Sequence, residues 1–340
     1  MLRYFILGFI FLSLQETRIP KVVVSEFIFE DAPFKACHAS TLVELSNHKI
    51  MAAWFGGSNE GNKDVCIWAS IKTNETWSVP VNIANGVQSD TLSYPCWNPV
   101  LFKTKTNLLV LYYKVGPNPR AWWGMMKTSK DNGNTWSKAI KLPEGFLGPI
   151  KNKPLQIASG EILYPSSTES PDEKVWQIHL EKSDSRAKHF KKILINGGAF
   201  GAIQPSILHY KDGKLQLLCR SRQNVIVSSW STDHGNSWTT LKPLTLPNPN
   251  SGIDAVSLKN GWQVLVYNPL AAGKNWWEGR SILKLAVSKN GVDWKDVYTL
   301  EQHDGGEYSY PAIIQSANGA VHVSYTAERK KIKYVELRFF

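Results

Sequence analysis

The sequence has few sulfur-containing residues, with four cysteines and four methionines among 340 residues. No two cysteines form a C-x-x-C pair and none has the spacing of metal ligands, which excludes a dithiol redox motif and a zinc cluster of the usual kind. Each lies in or beside a strand-like run, which predicts free buried thiols. One disulfide is the alternative if the protein is in an oxidising compartment. The four are Cys37, Cys66, Cys96 and Cys219.

The chain also lacks a nucleotide-binding motif, a loop of regularly spaced carboxylates for calcium, and long amphipathic helices. We therefore expect no cofactor, no metal ion and no helical partner-binding element. No linker rich in proline, glycine or serine divides the sequence, and no long charge block does so either. One large domain, residues 21–340, is the expectation.

Acidic residues are in deficit. The sequence holds 28 Asp and Glu against 39 Lys and Arg, a formal net charge of +11. Such a balance favours anionic ligands. Because the basic residues are scattered singly through strand-like segments, without a basic helix or a nucleic-acid-binding motif, nucleic acid is not the expected partner.

The apolar run near the N-terminus, from Tyr4 to Leu14, is too short to span a bilayer. It follows Arg3 and precedes the polar Gln15, which is the layout of a secretory signal. No small-x-small cleavage motif follows, so a buried first strand or an uncleaved anchor stays open. We expect residues 1–20 to be a signal peptide and the protein to be secreted or periplasmic.

One eight-residue pattern recurs along the chain. The segment SKDNGNTW at residues 129–136 is echoed by STDHGNSW at residues 231–238. Degenerate copies occupy residues 70–77 and 183–190, and a shorter copy occupies residues 288–294. Within each full copy, the Asp can bind backbone N–H groups of a tight turn, the Gly accepts a positive φ, and the Trp can pack between sheets.

The interval between copies fits one four-stranded propeller blade. Strand couplets, such as residues 39–45 with 49–55, recur between the copies, and a sixth couplet follows the last one. The segment from Lys21 to Glu30 can supply the strand that closes the ring. The prediction is therefore an all-β, six-bladed β-propeller. A β-sandwich or jelly roll would leave the regular spacing unexplained.

Polar residues stand where inner strands begin and second strands end, positions that should meet at one mouth of the ring and form a funnel. Inner-strand starts contribute His38, Asn98, Lys153, Gln204, Asp254, Tyr308 and Tyr310. Second-strand ends contribute Glu60, Asp64, Lys114, Glu169, Arg220, Arg222, Asn268, Glu328 and Arg329. Several adjoin proline or glycine, which restricts the backbone there.

These repeats and strand-end residues resemble the sialidase-like Asp-box (BNR repeat) family, in particular its bacterial exo-sialidase branch, from about residue 25 onward. The family uses three arginines on the substrate carboxylate, a Tyr nucleophile activated by a Glu, and an Asp as acid and base. By this resemblance Arg220 and Arg280 are the second and third arginines, and Tyr308 is the nucleophile. Asp64 matches the acid and base, with Glu60 as its rival.

The sequence departs from the family pattern at two positions. His38 stands where the first arginine would open the inner strand of blade 1, and Arg18 lies about one strand too early to replace it. Gln204 stands at the place of the activating glutamate, and a neutral amide cannot act as that base.

Three functions remain open from the sequence, and all assume a monomer that acts on or binds an acidic glycan. The first is an exo-glycosidase for a terminal acidic sugar, held by Arg220 and Arg280. The second is a His38-dependent hydrolase or lyase of uronic-acid glycans, in which Lys114 and Lys153 help to neutralise the uronate. The third is a glycan-binding propeller without catalysis. Its sugar-stacking candidates are Trp97, Trp122, Trp123, Trp276 and Trp277.

Overall fold

The computed structural model describes residues 19–275 and 277–339. The proposed signal segment therefore falls almost entirely outside the described residues, as do Arg18 and Trp276. Within the described part the chain forms 27 β-strands and one 3-10 turn, Ser46–His48. The strands form six main sheets and one small hairpin, which confirms the six-bladed β-propeller. No helix in the described part is long and apolar enough to cross a membrane.

The strands follow one another blade by blade. The chain begins with β1 (Lys21–Phe27), and blade 1 then holds β2 (Ala36–Glu44), β3 (Ile50–Gly57), β4 (Cys66–Thr73), β5 (Thr76–Trp77) and β6 (Val81–Ala84). The small hairpin is β7 (Val87–Ser89) and β8 (Leu92–Ser93). Blade 2 holds β9 (Cys96–Lys103), β10 (Leu109–Val115), β11 (Trp123–Ser129) and β12 (Ile140–Lys141). Blade 3 holds β13 (Leu155–Gln156), β14 (Ile162–Glu169), β15 (Trp176–Ser183) and β16 (Lys191–Leu194).

The second half continues the pattern. Blade 4 holds β17 (Ala202–His209), β18 (Leu215–Ser221), β19 (Val225–Ser231) and β20 (Lys242–Pro247). Blade 5 holds β21 (Asp254–Ser257), β22 (Gln263–Tyr267), β23 (Ile282–Ser288) and β24 (Lys295–Gln302). Blade 6 holds β25 (Tyr308–Gln315), β26 (Val321–Ala327) and β27 (Lys331–Arg338), and β1 is its outermost strand.

The ring is closed by the N-terminal strand, as predicted. Strand β1 pairs antiparallel with β27, and the register places Lys21 opposite Arg338 and Phe27 opposite Lys333. The first described strand and the last strand therefore belong to one blade, so opening the ring requires breaking their backbone hydrogen bonds.

The recurring eight-residue pattern forms the turn between the third and fourth strands of a blade. In blade 2, the Asp131 carboxylate accepts hydrogen bonds from the Thr135 N–H at 2.9 Å and from the Ser129 hydroxyl at 2.7 Å. Hydrogen bonds from Thr135 and Ser129 lower the pKa of Asp131 to about 2. The Trp136 ring packs on the core cluster between blades 1 and 2. The pattern therefore stabilises the turn and the packing between neighbouring blades.

A β-bulge repeats in the inner strands of four blades. One residue in each strand has a left-handed backbone, with φ of 55° at Ala39, 39° at Asn98, 56° at Gln204 and 53° at Tyr310. In each strand the pairing with the second strand shifts register at this point. Non-glycine residues with such φ values are strained by about 1–3 kcal/mol, and they concentrate at ligand and active sites. The bulges lie at or next to the predicted funnel residues His38, Asn98, Gln204 and Tyr310.

Candidate functional site

The site is centred on Arg220, which lies at the end of β18 and is 6% exposed. Its Nη1 atom donates to the Tyr310 hydroxyl at 2.7 Å and to Gln204 Oε1 at 3.2 Å, and its Nε atom donates to Asn250 Oδ1 at 2.9 Å. All three partners are neutral, and within the described residues no carboxylate lies at ion-pair distance from Arg220. A buried, uncompensated guanidinium of this kind is suited to bind a carboxylate.

A second cation, Lys151, lies beside the same tyrosine. Its ammonium group donates to the Ile253 and Pro311 carbonyls at 3.0 and 2.6 Å and to Asn152 Oδ1 at 3.0 Å. It lies 5.8 Å from the centroid of the Tyr310 ring. Burial lowers the pKa of Lys151 to about 7. The sequence analysis did not single out this residue.

Glu307, also absent from the sequence-based candidates, joins two arginines. Its Oε1 atom accepts from Arg280 Nη1 at 2.9 Å and its Oε2 atom accepts from Arg329 Nε at 2.7 Å. Burial by itself raises the pKa of Glu307, but the hydrogen bond from Arg329 and the positive charges of Arg329 and Arg280 outweigh burial and hold the pKa well below its usual range. Arg280 is therefore compensated by a carboxylate, whereas Arg220 is not.

His38 lies beneath Tyr310, with ring centroids 4.1 Å apart, and is 3% exposed. Neither ring nitrogen has a hydrogen-bond partner among the described residues. Burial, together with the positive charges of Arg329 and Arg280, lowers the pKa of His38 well below its usual value. These effects favour the neutral form of the imidazole.

The tyrosine that contacts the arginine centre is Tyr310, not the predicted nucleophile Tyr308. Tyr308 begins β25 and stacks on His303, with ring centroids 4.1 Å apart and planes at 16°. Its backbone N–H donates to the Arg280 carbonyl at 2.9 Å. A catalytic role for Tyr308 stays a prediction.

The two candidate acids lie in the loop between β3 and β4, and both are already engaged. The Asp64 carboxylate accepts from the Ser58 N–H and hydroxyl, each at 2.8 Å. Glu60 forms an ion pair with Arg329. Asp64 therefore braces its loop, and Glu60 ties that loop to blade 6.

Lys153 and Asp254 form an internal ion pair. The ammonium of Lys153 donates to both carboxylate oxygens of Asp254 at 2.9 Å. Asp254 also accepts from the Ser206 hydroxyl at 2.8 Å and the Ile313 N–H at 2.9 Å. The pair thus links four blades at the centre of the ring, and its charges compensate each other.

The remaining predicted residues have varied surroundings. Lys114 is fully buried and donates to the Pro149 carbonyl, and burial lowers its pKa to about 7. The Arg222 guanidinium lies 4.0 Å from the centroid of the Trp176 ring, at the rim of the funnel. Asn98 is buried at its bulge. In the described part of the chain, no group of three His, Cys, Asp or Glu residues could hold a metal ion.

A cleft of ≈ 570 Å³ lies between blades 2 and 3. Its lining includes Trp122, Trp123 and Glu169. Both tryptophans are partly exposed, whereas Trp97 is buried, and Trp277 is 50% exposed on blade 5. The cleft therefore brings two of the predicted sugar-stacking residues together.

Fold and site together define a six-bladed Asp-box propeller with a basic, aromatic funnel. The model of the BNR repeat-like domain family matches residues 48–323, and the chain belongs to this family. The predicted relationship to sialidase-like BNR-repeat propellers is thereby confirmed. No curated protein matches the sequence.

Solved structures with the same fold have low sequence identity to this chain. A protein of unknown function from Dyadobacter fermentans superposes with a TM-score of 0.76 at 15% identity, covering 94% of this chain and 99% of that one. The NanB sialidase of Streptococcus pneumoniae gives 0.73 at 14% identity, covering 92% and 70%. The intramolecular trans-sialidase of Ruminococcus gnavus gives 0.70 at 14% identity, covering 93% and 98%.

Proposed function

We propose that this protein is a glycosidase that releases a terminal acidic sugar from a glycan. The observation that carries the proposal is the guanidinium of Arg220, which is buried, is hydrogen-bonded to Tyr310 and, among the described residues, binds only neutral groups. An incoming carboxylate would gain charge-assisted hydrogen bonds there without breaking an existing ion pair. The sialidases that share the fold support a carboxylated sugar as the substrate.

Within this proposal the carboxylate binds Arg220, and Lys151 adds positive charge beside Tyr310 when it is protonated, below about pH 7. The phenol of Tyr310 then faces the reacting ring, either as the nucleophile or as a polar group that stabilises positive charge on the sugar. Arg280 and Arg329 play a different part, because Glu307 already compensates them. They hold Glu307, and through it the floor of the site, in place.

A second candidate is a lyase or hydrolase of uronic-acid glycans that uses His38. The contact between the His38 and Tyr310 rings favours it, since an imidazole can accept a proton and a tyrosine can donate one. The burial of His38 argues against direct contact with substrate, because the Tyr310 ring would have to move first. We therefore rank the hydrolase first.

The test uses two matched pairs of fluorogenic glycosides, one pair made from sialic acid and one from a uronic acid. In each pair one member keeps the carboxylate, and in the other the carboxylate has been reduced to an alcohol. We expect dye release only from a carboxylated member, with loss of release in Arg220→Met. Equal cleavage of the reduced member would overturn the proposal. An unsaturated product detected by ultraviolet absorbance would select the lyase instead.

We also propose that the protein is secreted or periplasmic, from the charge and apolar pattern of residues 1–20 alone. Fractionation of expressing cells, with mass spectrometry of the mature N-terminus, tests this. Recovery of the full chain in the cytoplasm would contradict it.

A further inference from the structure

Glu169 stands at the boundary between the funnel and the cleft of blades 2 and 3. It is the last residue of β14, and it pairs across the sheet with Trp176. The Trp176 ring lies 5.7 Å from the guanidinium carbon of Arg220. Glu169 also lines the cleft. Glu169 thus borders the cleft, and the Arg220 guanidinium is near enough to oppose the effect of burial on the pKa of its carboxyl.

The cleft has the properties of a sugar-binding cavity. At ≈ 570 Å³ it has room for a small saccharide, and two partly exposed tryptophans, Trp122 and Trp123, line it. Lys141 and Lys192 add hydrogen-bond donors to its wall. Aromatic faces combined with a few polar groups are typical of carbohydrate contacts.

We propose that this cleft binds the departing part of the glycan and that Glu169 donates the proton to the glycosidic oxygen. This inference rests on the proposed function. As the bond between the anomeric carbon and the oxygen breaks, its electron pair goes to the oxygen, which takes the proton of the Glu169 carboxyl. Water then adds to the sugar cation, and its released proton returns to the Glu169 carboxylate.

The surroundings of Glu169 suit an acid that is protonated before the reaction. Burial raises its pKa, against the opposing effects of Arg220, Arg222 and Arg120. The other charged groups that face it across the cleft are Lys141, Lys192 and Glu144. By contrast, Asp64 and Glu60 are held by Ser58 and by Arg329.

The experiment compares Glu169→Gln with wild type on two substrates with the same acidic sugar. In the first substrate the leaving group is a nitrophenol, which departs without a proton. In the second, called the disaccharide substrate, the leaving group is a natural disaccharide. We expect kcat for the disaccharide to fall about 10²–10⁴-fold, while the nitrophenyl substrate loses less than about tenfold. Because the acid must be protonated, wild-type activity on the disaccharide should also fall as pH rises above the pKa of Glu169. The variant should lack this fall.

The matched control is Glu161→Gln, which removes a carboxylate near the opposite end of the same strand, paired with Lys182 outside the cleft. It should retain wild-type activity on both substrates. A second variant, Trp122→Ala, should raise KM for the disaccharide roughly fivefold and leave KM for the nitrophenyl substrate unchanged.

Equal losses on both substrates in Glu169→Gln, or full retention on the disaccharide, would overturn the inference while leaving the proposed function standing. If the wild type cleaved neither substrate, the proposed function itself would fall, and this inference with it.

Discussion

The hydroxyl of Tyr310 lies 2.7 Å from Nη1 of Arg220, so a phenol from blade 6 and a guanidinium from blade 4 meet at the centre of the funnel. Tyr310 owes its place to the bulge in β25, where φ is 53°. The same ring covers His38 and lies near Lys151. The position of the Tyr310 hydroxyl in the proposed chemistry therefore depends on the left-handed backbone of this residue.

The first prediction separates the two tyrosines. Tyr310→Phe should lower kcat/KM about a hundredfold or more, which is the cost of losing one preorganised polar group at the reacting centre. Tyr308→Phe should change it less than about threefold, because Tyr308 stacks on His303 at the start of β25. Steady-state kinetics on the best acidic substrate measures both. The reverse order would restore Tyr308 as the catalytic tyrosine.

The second prediction concerns the charge on Arg220. Arg220→Lys keeps a cation but loses the planar set of donors that reaches Tyr310, Gln204 and Asn250. We expect affinity for an acidic sugar to fall by about tenfold to a hundredfold, on the scale of about 1.5–3 kcal/mol for a hydrogen bond to a charged group. Isothermal titration with the free sugar measures it. As a control, Arg186→Lys, at an exposed turn beside Asp184, should bind as wild type does.

The third prediction is a pH dependence of stability caused by Lys151. Burial lowers its pKa to about 7, from an ordinary value of 10.5, so between these values the unfolded chain binds a proton that the folded protein does not. Stability contributed by this site should therefore rise with pH from about 7 to about 10.5, by at most about 1.4 kcal/mol per pH unit.

Lys151→Met should remove this rise, because a neutral side chain of similar length replaces the ammonium group. Urea unfolding of wild type and variant across the same pH range gives the difference. A constant difference between the two proteins would show that Lys151 keeps an ordinary pKa in the fold.

The fourth prediction concerns the shortest Asp-box turn, residues 288–294. It compares Gly291 in that turn with a control glycine, Gly319, in the turn between β25 and β26. Both Gly291 and Gly319 have positive φ, 72° and 86°. A methyl group at Gly291 would collide with Tyr210 and Gln216, which are hydrogen-bonded to each other. A methyl group at Gly319 would meet no other atom of the described residues within 4 Å. Gly319→Ala should cost about 1–2 kcal/mol of folding free energy, which is the backbone strain alone.

Gly291→Ala should cost about 1–3 kcal/mol more, because the turn packs directly against its neighbour in blade 4. Denaturant midpoints measure both variants. Equal losses would mean that the turn can shift away from blade 4 without penalty.

The number of blades could be predicted from the sequence because the motifs that indicate it are local. The Ser129 and Ser231 turns each carry their Asp, Gly and Trp within eight residues, and the closing strand near Lys21 follows ordinary strand patterning. In both turns the hydrogen bonds form between residues that the motif itself contains. No distant part of the chain is needed to recognise them.

The interior of the site was harder to predict from the sequence, since bulges break the alternation of a regular strand. Sequence analysis placed Tyr308 and Tyr310 together at the start of one inner strand and, by the family resemblance, assigned Tyr308 as the nucleophile. Two residues apart, they would face the same side of a regular strand. The register shift between Ser309 and Ala312 separates them, and only Tyr310 reaches Arg220.

Lys151 and Glu307 were missed for a related reason. The innermost strand of blade 3 is only two residues long, Leu155–Gln156, so Lys151 lies in irregular backbone where strand periodicity predicts nothing. Glu307 precedes β25, and its two arginine partners come from the segment before β23 and the turn after β26. No sequence spacing links these three residues.

The most direct measurement is the product formed from an oligosaccharide with a terminal acidic sugar, incubated with the protein in water labelled with heavy oxygen and analysed by mass spectrometry. Our account predicts the free acidic sugar carrying one labelled oxygen, no unsaturated product, and no release in Arg220→Met. Release of a neutral sugar in preference to the acidic one, or undiminished release in Arg220→Met, would contradict it.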